Sequence, residues 1–288
     1  MSKYTIITDS TCDLGAEKIK ELDIIVAQGS FTLGDGTVHT NDSIDTAEFY
    51  NYLREGGNAK TSAINSSVYE ELFRAELLKG NDVVHLGFSS GLSATYNCAR
   101  LAAEELLDEF PERKIFVVDT LCASLGHGLL VYLCAKKRDE GATAEELYNY
   151  AESIKDNIVH RFTVNDLFFL KRGGRVSSTT AFVGSLLNIK PLLHVDSEGK
   201  LSVVSKARGR KAAFEAMIDY MAESAENISA DTPVFICHGD CIDEANAVAD
   251  MVKERFGTNN VYVDFLGPFI GAHAGPGTIA LFFVGKER

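Results

Sequence analysis

Three short apolar runs in the first half of the chain, YTIITDS (4–10), DVVHLGFSS (82–90) and KIFVVDTLCAS (114–124), end in small polar residues, and each leads into a stretch with helical periodicity. Strand-like runs of this length, alternating with helices, specify a parallel sheet covered on its faces by helices. In such sheets functional groups collect at the carboxyl ends of the strands. Asp9, Ser10, Ser89, Ser90, Ser93 and Asp119 all fall at that rim. Between the first two runs, FTLGDGTVHT (31–40) carries the hairpin signal Gly34-Asp35-Gly36, followed by a helix near 45–55 and the polar loop AKTSAINSS (59–67).

The second half has another texture. VHRFTVNDLFFLKRGGR (159–175) leads to an apolar helix expected over TTAFVGSLLNI (179–189). Next comes KPLLHVDSEGKLSVVSKARGR (190–210), two alternating runs joined at Asp196–Gly199 that read as a β-hairpin. Then TPVFICHG, CIDEANAVADMVKERFG, NNVYVDFLG and TIALFFVG alternate strand, helix, strand, strand. The expected fold class is α/β with two domains: an N-terminal parallel-sheet, Rossmann-like α/β domain over 1–160 and a C-terminal α+β domain with a mixed sheet over 161–288. A chain of 288 residues suits two such units.

Composition narrows the function classes. With 45% hydrophobic and 24% charged residues the chain reads as an ordinary soluble protein. The start, MSKYTIITDS, has an apolar run too short for a signal peptide, and no stretch approaches the ~20 apolar residues of a membrane span. A cytoplasmic location is expected, and six scattered cysteines suit reduced thiols. The cluster CHGDC (237–241) offers Cys237, His238 and Cys241 without a second pair at zinc spacing, so no metal site is expected. A net charge of −13 argues against nucleic acid. Residues 171–211 are the exception, with nine Lys/Arg against Asp196 and Glu198, a basic patch suited to one anionic ligand or partner.

HLGFSSGLSATY (85–96) poses a choice, because Gly87-Phe-Ser89-Ser-Gly91 matches the G-x-S-x-G of a nucleophile elbow. Ser89 with His273 would make a serine esterase with its partners in the order Ser, acid, His. Against it, no HGGG-type oxyanion segment precedes the serine, and His273 leads into a strand. The alternative is an anion held and never attacked. A helix beginning near Ser93 presents unpaired N–H groups and the positive end of its dipole, with Ser90 or Ser93 as cap. Ser89, Ser90, Ser93 and Thr95 crowd that turn, and Thr61 and Ser62 occupy a second polar loop. These hydroxyls suit a carboxylate or phosphate. GPFIGAHAGPGT (267–278) adds His273 in a Gly-rich loop, where it can donate to an anion.

Taken in order, ITDSTCDL (7–14), KTS (60–62), SSGLSATY (89–96), VVDTLCASLGHG (117–128), LFFLKRGGRVS (167–177), LLNIKPLL (186–193), KARGRKAA (206–213) and HAGPGT (273–278) resemble the DegV family of bacterial fatty-acid-binding proteins, the lipid-carrier subunits of fatty acid kinase. The resemblance spans nearly the whole chain. It implies one long-chain fatty acid in an apolar tunnel between the two domains, no cofactor, and no chemistry by the carrier itself. A separate ATP-dependent kinase would convert the presented carboxylate to an acyl phosphate. The implied carboxylate contacts are Thr61, Ser93 and His273, with Ser62 close by and Arg208 as a charge partner; Arg172 would lie near the mouth, where the kinase docks. Phenylalanines, seventeen in all, in LFFL, AFVGSLL and LFFV would help line the tunnel. A ligand enclosed by one chain calls for no second copy, so a monomer is expected. Two positions depart from the family pattern: Ala94, where Gly is frequent, and Ala63–Asn65, where a Gln-Pro pair is frequent.

Overall fold

The computed structural model describes residues 3–176 and 188–288. The chain opens with β1 (Tyr4–Asp9), a 3-10 turn (Ser10–Cys12), α1 (Ala16–Glu21), β2 (Ile25–Ala27), the hairpin β3 (Ser30–Leu33) and β4 (Val38–Thr40), and α2 (Thr46–Arg54). It continues with β5 (Ala59–Thr61), α3 (Ser66–Leu78), β6 (Asp82–Gly87), α4 (Thr95–Glu109), β7 (Ile115–Asp119), α5 (Ser124–Asp139) and α6 (Ala144–Ile154). After β8 (Ile158–Thr163) come α7 (Phe168–Arg172), β9 (Ile189–Val195), β10 (Leu201–Arg208), α8 (Arg210–Ser224) and β11 (Val234–His238). The last elements are α9 (Ile242–Phe256), β12 (Val261–Phe265), α10 (Pro268–Ala274) and β13 (Ile279–Val284).

Among the described residues these strands make three sheets. The expected parallel sheet has order β2-β1-β6-β7, with Ile6 opposite Val84 and Val84 opposite Phe116. A small antiparallel sheet, β4-β3-β5, sits beside it. The second half builds β10-β9-β8-β13-β11-β12, in which only β11 and β12 run parallel. This mixed sheet takes up the chain at Ile158, and β9 and β10 form the hairpin expected around Asp196–Gly199. The helix expected over 179–189 falls on residues outside those described, apart from Asn188 and Ile189, and Ile189 opens β9.

Strand alternation sorts the core into layers. On β1 and β6, Ile7 and Val83 face α3 and α4 with Phe73, Ala99 and Ala102. Ile6 and Val84 face the other way, toward α5. On the far side of α5 lies the six-stranded sheet, whose outer face is covered by α8 and α9 through Val159, Met217, Ile236 and Val248. Along β8 the same alternation turns His160 and Phe162 inward, while Arg161 stacks 3.5 Å from the ring centroid of Tyr220 on α8.

Polar groups in these layers are tied down. The Asp9 carboxylate accepts from the Phe88 N–H at 2.7 Å, from Tyr69 and from His85 at 3.0 Å. Burial raises its pKa, but His85, His127 and the Tyr69 hydroxyl outweigh that and hold it below the usual carboxylate range. The Phe88 bond fixes the start of the 88–93 loop. The hairpin tip then closes on that loop: Ser89 Oγ donates to the Gly199 carbonyl at 2.7 Å, and a Cβ on Gly91 would stand 2.4 Å from the Glu198 carbonyl. Gly91→Ala should therefore destabilise the fold by about 1–3 kcal/mol through overpacking alone, read as a lower urea midpoint at unchanged slope; an unshifted midpoint would contradict this contact.

Candidate functional site

Between α5, the inner face of the six-stranded sheet and α10, the described residues bound a cavity of about 290 Å³. Its wall is mostly apolar: Phe88, Leu92, Phe162, Leu170, Val195, Leu201, Leu266, Phe269, Ile270 and Phe282. From LFFL and LFFV, only Leu170 and Phe282 contribute, and AFVGSLL lies outside the described residues. Ala123, Ser124 and His160 add a lining whose polar atoms are already committed. His160 Nδ1 donates to the Ile158 carbonyl at 3.0 Å and Nε2 accepts the Ala123 N–H at 3.1 Å, which fixes a neutral ring. Burial, with Arg288 nearby, pushes its pKa down to about 3.

Thr61, Ser93, Arg175 and His273 also line this cavity. Thr61 ends β5 and His273 sits in the last turn of α10, and Thr61 Oγ1 lies 2.8 Å from His273 Nε2. The Gly-rich segment expected as a loop is thus helical from Pro268 to Ala274, because Pro268 suits the first helical turn and Gly275 and Gly277, at φ 80° and 76°, turn the chain out of it. His273 Nδ1 is buried without a partner among the described residues. Burial, then Arg175 and Arg172, push the ring's pKa down to about 4, so the imidazole is neutral at pH 7. With Nε2 protonated, His273 donates to Thr61 Oγ1 and frees the threonine hydroxyl to donate into the cavity.

Ser93 Oγ lies 2.9 Å from Thr95 Oγ1 and accepts the Thr95 N–H at 3.3 Å; Thr95 Oγ1 in turn accepts the Ile64 N–H at 3.2 Å. This relay ties the loop after Thr61 to the start of α4. The helix begins at Thr95, two residues past Ser93 as expected, but its N-cap is Ala94, with helical backbone angles and no side-chain cap, so neither Ser90 nor Ser93 is the capping residue. Ser93 takes the Thr95 N–H from one position further out.

Arg175 is the residue the sequence reading missed. Its Nη1 donates to the Gly173 carbonyl at 2.5 Å and its Nε to the Leu92 carbonyl at 3.3 Å, beside Ser93. Burial alone lowers its pKa from the guanidinium value. No Asp or Glu lines the cavity among the described residues. The signal was present in LKRGGR: Gly174, at φ 70°, reverses the chain after α7 and turns Arg175 inward, and Gly173 packs so closely that a Cβ there would lie 2.2 Å from His273 Nδ1.

Other candidate residues stand elsewhere. Ser62 is exposed, with its N–H on the Ser30 carbonyl at 3.0 Å, and does not line the cavity. Arg208 is exposed at the end of β10; two residues on, past Gly209, it is Arg210 that reaches inward and donates to the Gly277 carbonyl at 2.6 Å. Arg172 is exposed on α7 with its guanidinium 4.9 Å from the Phe169 ring. Ser89 is fully buried with its hydroxyl on Gly199, and His273 is bonded to Thr61 instead. An elbow nucleophile must be exposed and bonded to a base, so the pair does not form an esterase site. The two departures from the family pattern both fall here, since Ala63 and Ala94 line the cavity.

The family model of the DegV proteins, a family described as uncharacterised, matches residues 3–286. A DegV domain-containing protein of Clostridium perfringens is 41% identical over 292 residues, covering 100% of this chain and 99% of that relative. Among solved structures, a fatty-acid-binding DegV family protein of Thermus thermophilus superposes with a TM-score of 0.88 at 31% identity, covering 98% and 99% of the two chains. A DegV family protein of Ruminococcus gnavus with vaccenic acid does so with a TM-score of 0.87 at 26% identity, covering 97% and 99%.

The depressed His273 pKa carries a sign. The ring favours folding above its unfolded value of 6.5, and that contribution fades as pH falls through about 4. An NMR titration of the ligand-free protein should find His273 neutral down to about pH 4, and Arg175→Gln should move the midpoint up toward 6.5. A wild-type midpoint near 6.5 would contradict the site as built.

Proposed function

The chain belongs to the DegV family, and we propose that it holds one long-chain fatty acid in this cavity and presents the carboxylate to a partner kinase. The observation that carries the reading is the polarity of the cavity: apolar walls closing on Thr61, Ser93, His273 and the Arg175 guanidinium, with no lining carboxylate among the described residues. A fatty acid matches both ends. Burying about 15 methylenes at roughly 0.8 kcal/mol each offers a gross ~12 kcal/mol, before association costs are subtracted. The head group needs its charge met, since a buried unpaired carboxylate is very costly. Arg175 takes the charge-partner role in place of Arg208, with the hydroxyls of Thr61 and Ser93 as donors. The ligand would lie between an N-terminal unit ending near residue 160 and the C-terminal unit that follows it.

Kinase presentation rests on the surface beside His273. Lys171 and Arg172 are exposed on α7 next to Phe168, itself 58% exposed, an apolar and basic face that suits an acidic partner around the mouth. The partner would transfer a phosphoryl group from ATP to the carboxylate oxygen, giving an acyl phosphate and ADP. The chain's own part is to hold the lipid, exclude water from its tail and orient its head.

Displacement of a fluorescent fatty acid tests the reading. Thr61→Val, His273→Ala and Arg175→Gln should each weaken binding about tenfold or more, as expected for loss of a charge-assisted hydrogen bond. Unchanged affinity in all three folded variants would overturn it. Arg172→Glu should leave lipid content intact while abolishing kinase-dependent acyl phosphate formation, and unchanged turnover would remove Arg172 from the docking face.

A further inference from the structure

No residue of the ITDSTCDL motif lines the cavity just described. Asp9 is spent on the core, but Asp13 faces a second, half-open cleft of about 250 Å³ between the 3-10 turn, the start of α1, the 41–46 loop and the β12–α10 junction. Asp42 and Asp264 also line it, with Gln28 and Asn41, and no Lys or Arg does so among the described residues. Most polar groups here are committed. The Asp264 carboxylate accepts from Tyr262 and the Phe265 N–H, and Asn41 bridges the Ser10 carbonyl and the Phe269 N–H.

Two acceptors are left over. Asp13, only 7% exposed, uses Oδ2 to accept from Ser124 Oγ at 2.6 Å, while its buried Oδ1, packed against Gly267, has no well-formed hydrogen bond among the described residues. Gln28 Oε1 is buried and likewise without a partner among the described residues. The Asp13 backbone is held left-handed at φ 54°, so the placement is imposed by the fold. A cleft with surplus acceptors and no basic side chain is built for a donor that carries positive charge. It does not suit a bare metal ion, because no three His, Cys, Asp or Glu side chains converge among the described residues. Its volume is several times the ~30 Å³ share of one water, and Leu14, Ile19 and Val26 offer an apolar wall for a short carbon stem.

We propose that this cleft is a second ligand site, on the other side of Ser124 from the fatty-acid cavity, that takes a small primary amine as its ammonium ion, with Asp13 Oδ1 and Gln28 Oε1 accepting its N–H groups. The charge of Asp13 gives the site a signature. Burial pushes its pKa up to about 8, against the Ser124 hydrogen bond and the nearby Gly267 N–H, with Asp264 adding to the rise. The thiols of Cys12 and Cys237 and the phenols of Tyr50 and Tyr262, which surround it, are all pushed up by burial and stay neutral at pH 7. An arriving ammonium therefore charges Asp13 and releases its proton to solvent.

Calorimetric titration of the full chain at pH 7 with ethylammonium and with putrescine, in two buffers of different ionisation enthalpy, tests this. The expected result is saturable binding at one site with release of a proton. Tetramethylammonium, which has no N–H, and potassium chloride should bind about tenfold more weakly or not at all. Asp13→Asn should weaken amine binding about tenfold or more without changing fatty acid content. Asn tolerates the left-handed backbone and still accepts from Ser124, which favours folding of the variant. No saturable amine binding, binding untouched by Asp13→Asn, or equal binding of tetramethylammonium would overturn the proposal. If the variant fails to fold, the contrast between ethylammonium and tetramethylammonium on the wild-type chain decides, and equal binding of the two overturns it. Fatty acid content is read separately, so the two sites stand or fall apart.

Discussion

Helix α5 is clasped between two sheets that share no strand, and that clasp holds the two halves of the molecule in register. Every residue from Ser124 to Val131 is buried, with Cys134 and Ala135 beyond. On one side His127 Nε2 lies 2.9 Å from the Leu86 carbonyl and from Thr8 Oγ1, so the helix is bonded to the two central strands of the parallel sheet. On the other, Leu125 and Leu129 belong to one apolar cluster with Phe235, Ala280 and Phe282. A helix apolar all round is stable only when covered all round. Its first turn cannot be covered by backbone alone, and the residues there, Ala123 and Ser124, face the cavity. The cavity follows from this arrangement: it is the space left where α5 begins, bounded by the inner face of the six-stranded sheet and closed at its end by α10.

The electrostatics of that space are one-sided. His160 is held neutral by its two backbone bonds, and His273 is kept neutral by burial and by two arginines. Among the described residues, Arg175 is the one cation lining the cavity, with Lys171 and Arg172 exposed on α7 outside it. A low dielectric strengthens such an arrangement, so an anion placed beside Arg175 gains more there than at the surface. The same neighbours that depress the His273 pKa would be offset by a bound carboxylate. Ligand and imidazole are therefore linked through charge as well as through the Thr61 hydroxyl.

Much of this was legible in the chain. The three apolar runs ending in TDS, FSS and VDT became β1, β6 and β7 in parallel, and the Gly-Asp-Gly and Asp-Ser-Glu-Gly turns became hairpins, because period-two alternation and turn chemistry are local properties. Thr61, Ser93 and His273 are drawn together from three separate elements, and that grouping was legible through family resemblance. Arg175 was not. Three basic residues in LKRGGR are equivalent by composition, and which one turns inward is decided by the reversal at Gly174 and by the contact of Gly173 with His273. Ser89 shows the opposite failure: a five-residue pattern suggested a nucleophile, whereas the hydroxyl locks a hairpin tip 110 residues away in sequence. Long-range packing, invisible to local pattern, assigns both.

The central claim is that one chain encloses one fatty acid, and native mass spectrometry of freshly purified protein, followed by solvent extraction and identification of what is released, tests it most directly. The account predicts a mass excess equal to a single long-chain fatty acid on each chain, removed together with the extractable lipid. An empty chain, or one carrying a polar anion in place of a lipid, would contradict it.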